Sequence, residues 1–192
     1  QLLANEMLGQ VMAFDRYLKE KDSSLGVTHV VIMGTGEPFD NYDNVLSFIR
    51  TLNSPFGLNI GARHITVSTC GVVPGILRFG KEGLQVNLAI SLHAPNDELR
   101  DMLMPINRAY PLEELIPAII QYGKDSGGRR VTYEYILIKG VNDSIDCAKE
   151  LYKLISPTFG YVNLIPYNPV MENGFERSLD GQVELFHEYL LS

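Results

Sequence analysis

The sequence predicts an α/β protein with parallel strands, and three observations predict it. Aliphatic, β-branched runs alternate along the chain with segments whose apolar residues recur every three or four positions. No hairpin signal joins two of the apolar runs, so right-handed crossovers between parallel strands are expected. Polar and glycine residues then cluster after nearly every strand, as GTGEP, STCG, SLHAPND, KGVND and PYNP. An open doubly wound sheet gathers its ligand groups at one switch point, whereas a barrel rim uses all its strand ends, so a barrel is favoured. Five strands are too few for a closed eight-stranded barrel. They suit a partial barrel, or one whose first strand lies upstream of Gln1.

Each element has its own signal. Leu3, Met7, Val11, Phe14 and Leu18 give residues 2–20 a helical stripe. A polar loop at 21–26 leads to a strand over 28–33. The next helix, capped by Asn41 or Asp43, carries Val45, Leu46, Ile49 and Leu52 on one face and ends at 53–57. The second strand covers 64–69 and is rich in β-branched residues. Gly71 to Gly75 open a helix with Pro74 in its first turn. The third strand is 86–92. Asn96 and Asp97 cap a short helix, and Pro111 starts a longer one. The fourth strand covers 131–138, with Thr132 and Glu134 at alternate positions. Asp143-Ser144 start a helix to about residue 155, a fifth strand follows at 162–166, and a last helix spans about 178–191. With no repeat, low-complexity tract or linker, residues 1–192 read as one domain.

Composition narrows the function. At 192 residues, 45% hydrophobic and 20% charged, the chain is an ordinary globular domain. No apolar run reaches the roughly 20 residues a membrane helix needs. The N-terminus has neither the basic nor the apolar region of a signal peptide, and Gln1 is not an initiator Met, so the chain reads as part of a longer protein. A net charge of −7 argues against an electrostatic nucleic-acid clamp in this segment, though not against a nucleic-acid substrate gripped mostly by another domain. Cys70 and Cys147 form no CxxC pair and suggest half-buried thiols in a reducing, cytoplasmic setting.

The chemistry-bearing residues sit at strand ends. Gly34 and Gly36 allow a tight turn and close backbone approach, Pro38 fixes the exit, and Glu37 presents a carboxylate to an amine or a ribose. Ser68 offers a hydroxyl to a ligand, or caps the next helix. Ser91-Leu92-His93 end the third strand, His93 being either a structural residue or a base or ligand. Asn142-Asp143 read as a helix cap. Asn168, between two prolines, offers an amide, and Tyr167 a stacking face. Arg63, Arg100, Arg108 and Lys139 are phosphate candidates or surface charges. No Gly-x-Ser-x-Gly elbow marks a nucleophile. Such groups bind and orient; a cofactor or further chain must supply the reaction.

Taken in order, these segments resemble the RlmN/Cfr-type radical S-adenosylmethionine (SAM) enzymes, which methylate an adenine of 23S ribosomal RNA and, in the RlmN branch, of transfer RNA. The carriers are residues 31–38, 41–45, 63–69, 71–74, 90–100, 104–107, 131–135, 140–143 and 162–169, which span most of the chain. The resemblance implies a parallel partial (β/α)6 TIM-like barrel of the radical SAM type, lacking its first strand. It implies SAM contacts at Gly36, Glu37, Ser68, Ser91, Leu92, His93 and Asn168. It also implies a 4Fe–4S cluster, a methyl-cysteine intermediate, rRNA and tRNA as substrates, and an electron donor such as flavodoxin. The family's cluster motif C-x-x-x-C-x-x-C, its acidic proton acceptor, its basic N-terminal RNA-binding domain and its methyl-carrying C-terminal cysteine have no counterpart in these residues. Neither Cys70 nor Cys147 lies in such a motif. The chain thus reads as truncated at both ends and inactive by itself. Two other readings stand beside this one: a parallel-barrel lyase or isomerase using Glu37 as base and His93 as acid, and a degenerate, non-catalytic barrel that binds protein.

Overall fold

The computed structural model describes residues 1–170 and 174–191. Strands β1 (Val30–Ile32), β2 (Ile65–Thr69), β3 (Asn87–Ser91), β4 (Val131–Leu137) and β5 (Gly160–Pro166) lie in one sheet in chain order. β1 and β2 run parallel with Val31 opposite Thr66; β4 and β5 run parallel from Val131 opposite Gly160 to Leu137 opposite Pro166. This is the α/β, parallel-strand class the sequence predicts. The chain divides into two compact units, Gln1–Thr69 with Leu84–Leu88, and Cys70–Gly83 with Ala89–Ser192.

In the first unit, helix α1 (Ala4–Lys21) packs on helix α2 (Tyr42–Asn53). The stripe read from sequence faces inward: Val45, Leu46, Ile49 and Leu52 are buried, and Phe48 joins them. Burying side chains of this size stabilises by ~1.5–3 kcal/mol each. Asn41 precedes α2, but its side chain does not cap it. It donates to Leu2 O at 2.7 Å and accepts from Asn44 Nδ2 at 2.9 Å. β1 is shorter than predicted, because the chain leaves the ladder at Met33 to enter the glycine turn.

The second unit holds helices α3 (Val73–Gly80), α4 (Asp97–Leu103), α5 (Leu112–Asp125), α6 (Ile145–Ile155) and α7 (Asp180–Leu191). Pro74 sits in the first turn of α3, as expected. Asn96 caps α4 by accepting from Leu99 N at 3.0 Å. Ser144, rather than Asn142 or Asp143, caps α6 by accepting from Cys147 N at 3.1 Å. α3 and α5 meet through the parallel rings of Phe79 and Tyr122, 6.3 Å apart.

β4 alternates strictly. Val131, Tyr133, Tyr135 and Leu137 are buried, and Tyr135 meets Phe186 of α7 at 5.4 Å; Thr132, Glu134 and Ile136 share the opposite face. The two buried phenols of β4 are satisfied, Tyr133 by Thr158 Oγ1 at 2.8 Å and Tyr135 by Asn142 O at 2.9 Å. β5 begins two residues earlier than expected, at Gly160. A Cβ there would lie 2.5 Å from Val131 O and 2.9 Å from the Tyr133 ring, so only glycine lets the strand close on β4. One antiparallel contact departs from the all-parallel expectation: Ile138 bridges Arg177, with Lys139 N donating to Glu176 O at 3.0 Å. Among the described residues no helix is long and apolar enough to cross a membrane.

Candidate functional site

In the first unit, the turn after β1 is shaped by backbone. Gly34 and Gly36 adopt φ of 134° and 131°, a region reserved for glycine, and a Cβ at either would meet nothing within 4 Å. The conformation, not crowding, demands glycine, and the open side leaves room for another molecule. Glu37 then caps a short 3-10 turn (Pro38–Asn41): its Oε1 accepts from Phe39 N at 3.0 Å, and its carbonyl accepts from Asp40 N at 3.1 Å. The carboxylate is therefore held, not loose. A cavity of about 270 Å³ opens here, lined by Gly34, Thr35, Gly36, Glu37 and the N-terminal Gln1 and Leu2. Ser68 is not among its walls. It is buried in β2, on the face of Thr66. α3 is preceded by Val72, whose side chain makes no cap bond, so Ser68 does not cap that helix.

In the second unit, the turn after β3 is shaped by side chains. Leu92 N and His93 N both donate to Glu134 O, at 3.1 and 3.2 Å. Leu92 is fully buried and its carbonyl accepts from Arg100 Nε at 3.3 Å, so it packs and offers no free polar group. His93 takes φ of 59° and its Nδ1 accepts from Ile136 N at 3.2 Å. Burial, and then the Arg100 guanidinium, push its pKa down to about 4. The ring is therefore neutral at ordinary pH with its proton on Nε2. A neutral imidazole offers its Nε2–H as a hydrogen-bond donor. Ser91, half-buried, closes β3.

Two residues that the sequence placed elsewhere hold this turn. Arg100, a phosphate or surface candidate by sequence, is fully buried. It donates to Leu92 O, to Asn107 Oδ1 at 2.8 Å and to Cys70 O at 2.7 Å. Asn142 is also fully buried. Its Nδ2 donates to His93 O and Ile136 O, both at 2.7 Å, and its Oδ1 accepts from Ile138 N at 2.8 Å. Their only sequence signal is a polar residue just beyond a strand or at a helix start. Asp143 is buried too, accepting from Gly140 N and Ser178 Oγ.

The other candidates divide. Asn168 is exposed after β5. Tyr167 is buried and meets Phe175 edge-on at 6.1 Å, so its ring belongs to the fold and is not a free stacking face. Arg63 and Arg108 are exposed; Lys139 pairs with Glu176. Both thiols are half-buried.

A parallel α/β chain with a glycine-shaped, carboxylate-bearing turn at one strand end and buried polar brackets at another belongs to a class of scaffold that takes small ligands at its strand ends. The chain belongs to the radical SAM superfamily, whose model matches residues 10–155. It is 57% identical over 173 residues to a probable dual-specificity RNA methyltransferase RlmN of Spiroplasma citri, covering 90% of this chain and 49% of the relative. It is 54% identical over 186 residues to the protein so described in Thermoanaerobacter sp. (strain X514), covering 96% and 52%. A crystal structure of a radical SAM methyltransferase from Sphaerobacter thermophilus superposes with a TM-score of 0.93 at 47% identity, over 99% of this chain and 55% of that one. The chain thus spans about half the length of the curated relatives it matches. Membership implies SAM and a 4Fe–4S cluster. At the glycine turn, the open backbone of Gly34 and Gly36 and the Glu37 carboxylate are groups that could hold the amino-acid end of SAM. The residues of this chain do not fit the cluster: among those described, no group of three or more His, Cys, Asp or Glu is placed to hold a metal ion.

Proposed function

We propose that this chain is the SAM-binding part of an RlmN-type RNA methyltransferase. On this proposal it acts in the cytoplasm on an adenine carbon of 23S rRNA and of tRNA, by way of a methylated cysteine and with a flavodoxin-type electron donor. The observation that carries the proposal is the turn at Gly34–Glu37, open above two glycines and beside a fixed carboxylate. When bound, SAM supplies the methyl group. Gly36 lets the backbone approach SAM's methionine end, and Glu37 accepts from its α-ammonium, a charge-assisted bond strengthened where water is excluded. Ser68 and Ser91 offer hydroxyls, His93 a neutral Nε2–H donor, Leu92 the packing that fixes the turn, and Asn168 an amide for the adenosine. The target adenine leaves its stack to be reached. With Cys70 and Cys147 as its thiols, the chain by itself binds SAM weakly and does not turn over.

The test is in the cell. Disrupting the gene that encodes this chain should remove methyladenosine from 23S rRNA and tRNA, read by nucleoside mass spectrometry; unchanged methyladenosine in both RNAs overturns the proposal. For the isolated chain, tight SAM binding by calorimetry would contradict the expected weakness.

A further inference from the structure

In the second unit, the half-buried Thr132, Glu134 and Ile136 of β4 stand beside the exposed Tyr161, Asn163 and Ile165 of β5 on one face of the strand pair. Inward positions of parallel α/β barrels are filled by bulky branched aliphatics. Here the middle pair is a carboxylate and an amide, in register and bonded: Asn163 Nδ2 donates to Glu134 Oε2 at 2.7 Å. Among the described residues no cation pairs with Glu134. That bond uses one N–H of Asn163 and leaves two acceptors, Glu134 Oε1 and Asn163 Oδ1, beside the second amide N–H. Two residues to either side along β5, Tyr161 is 55% exposed and Ile165 36% exposed. An aromatic and an aliphatic surface thus bracket a pair of acceptors.

We infer that this face reads a nucleobase by its amino group, with Glu134 as the specificity-determining acceptor and Asn163 as the residue that positions it. A phosphodiester is repelled by the carboxylate, so the face takes a base edge and not a backbone. A flat ring stacks on Tyr161 while its amine donates to Glu134. Because the inference rests on the methyltransferase proposal, the base is adenine and the donor its N6 amine. SAM and the target nucleotide share that chemistry.

Nuclear magnetic resonance titration of the chain with adenosine, purine riboside (which lacks the 6-amino group) and guanosine tests it. Adenosine should bind about tenfold tighter than purine riboside, and Glu134→Gln should bring that ratio close to one. Asn163→Ala, which leaves the carboxylate unheld, should reduce the ratio less. Circular dichroism checks that the variants fold; Glu134 and Asn163 lie on the surface of the sheet, outside the core. Equal binding of adenosine and purine riboside by the native chain, a ratio untouched by Glu134→Gln, or a preference for guanosine each overturns the inference. SAM and a single-stranded RNA bearing one adenine are titrated separately. Whichever loses affinity in Glu134→Gln names the source of the base, and neither losing it also overturns the inference. If cellular methyladenosine survives gene disruption while the adenosine preference still depends on Glu134, the RNA-methylation proposal falls and the base-reading face stands. The converse result removes only Glu134.

Discussion

The turn after β1 and the turn after β3 fix their residues at strand ends by opposite means. The first relies on two glycines in a backbone region closed to other residues, and on one carboxylate folded back as a cap. The second relies on buried polar side chains: Arg100 and Asn142 bind the carbonyls of Leu92 and His93, and the His93 ring supplies an acceptor where the β3–β4 ladder parts. Each turn is therefore vulnerable to a different change. A glycine turn tolerates loss of side chains and not the gain of one. A bracketed turn tolerates neither loss of a bracket nor a change in its charge.

The largest losses are expected at the brackets. Arg100→Met leaves three acceptors without the guanidinium, two of them carbonyls, and should destabilise by ~3–5 kcal/mol in urea unfolding. A loss below ~1 kcal/mol would mean the bracket is dispensable. Asn142→Ala strands His93 O, Ile136 O and Ile138 N and should cost ~2–4 kcal/mol by the same measurement.

His93 gives a pH test. Its folded pKa is depressed from 6.5 to about 4, so below pH 6.5 the unfolded chain takes up a proton that the fold refuses. Stability from this group therefore falls as pH drops through that window, by ~3 kcal/mol in all. His93→Asn keeps a side chain that tolerates the left-handed backbone and can accept from Ile136 N, but it does not titrate. Its unfolding free energy should lack that share of the acid dependence, and an unaltered pH profile would remove His93 as the cause.

The glycine turn gives smaller effects on stability. Gly36→Ala places a side chain at φ of 131° and should cost ~1–3 kcal/mol while abolishing SAM binding. Glu37→Gln keeps an oxygen for Phe39 N and should shift stability by less than ~1 kcal/mol. Its loss of charge should still weaken SAM binding about tenfold. Unchanged SAM affinity in Glu37→Gln would remove the ammonium contact.

The sequence made most of the fold legible, because local patterns decide it: the α2 stripe, Pro74 at the start of α3, and the alternation of β4. What it hid depends on partners far along the chain. Arg100 reads as a surface cation until Cys70 O, thirty residues away in sequence, is found beside it. Asn142 reads as a helix cap until it is seen spanning back to His93. Tyr167 reads as a stacking face until Phe175 covers it. Of the turn residues, Gly34, Gly36 and Glu37 were legible because their conformation is written in the residue types themselves. The neutrality of His93 was not, since burial and the Arg100 charge arise only on folding.

The buried phenols give the chain a built-in optical gauge. It has ten tyrosines and no tryptophan. Burial pushes Tyr122 and Tyr133 up to about 12, and Tyr135 further still. In alkali the unfolded chain would release these protons near pH 10 while the fold retains them, so the fold weakens as pH climbs from there through 12. Ultraviolet absorbance should therefore rise in two waves, solvent-facing rings first, and the second wave dates the collapse of the native state without any added dye.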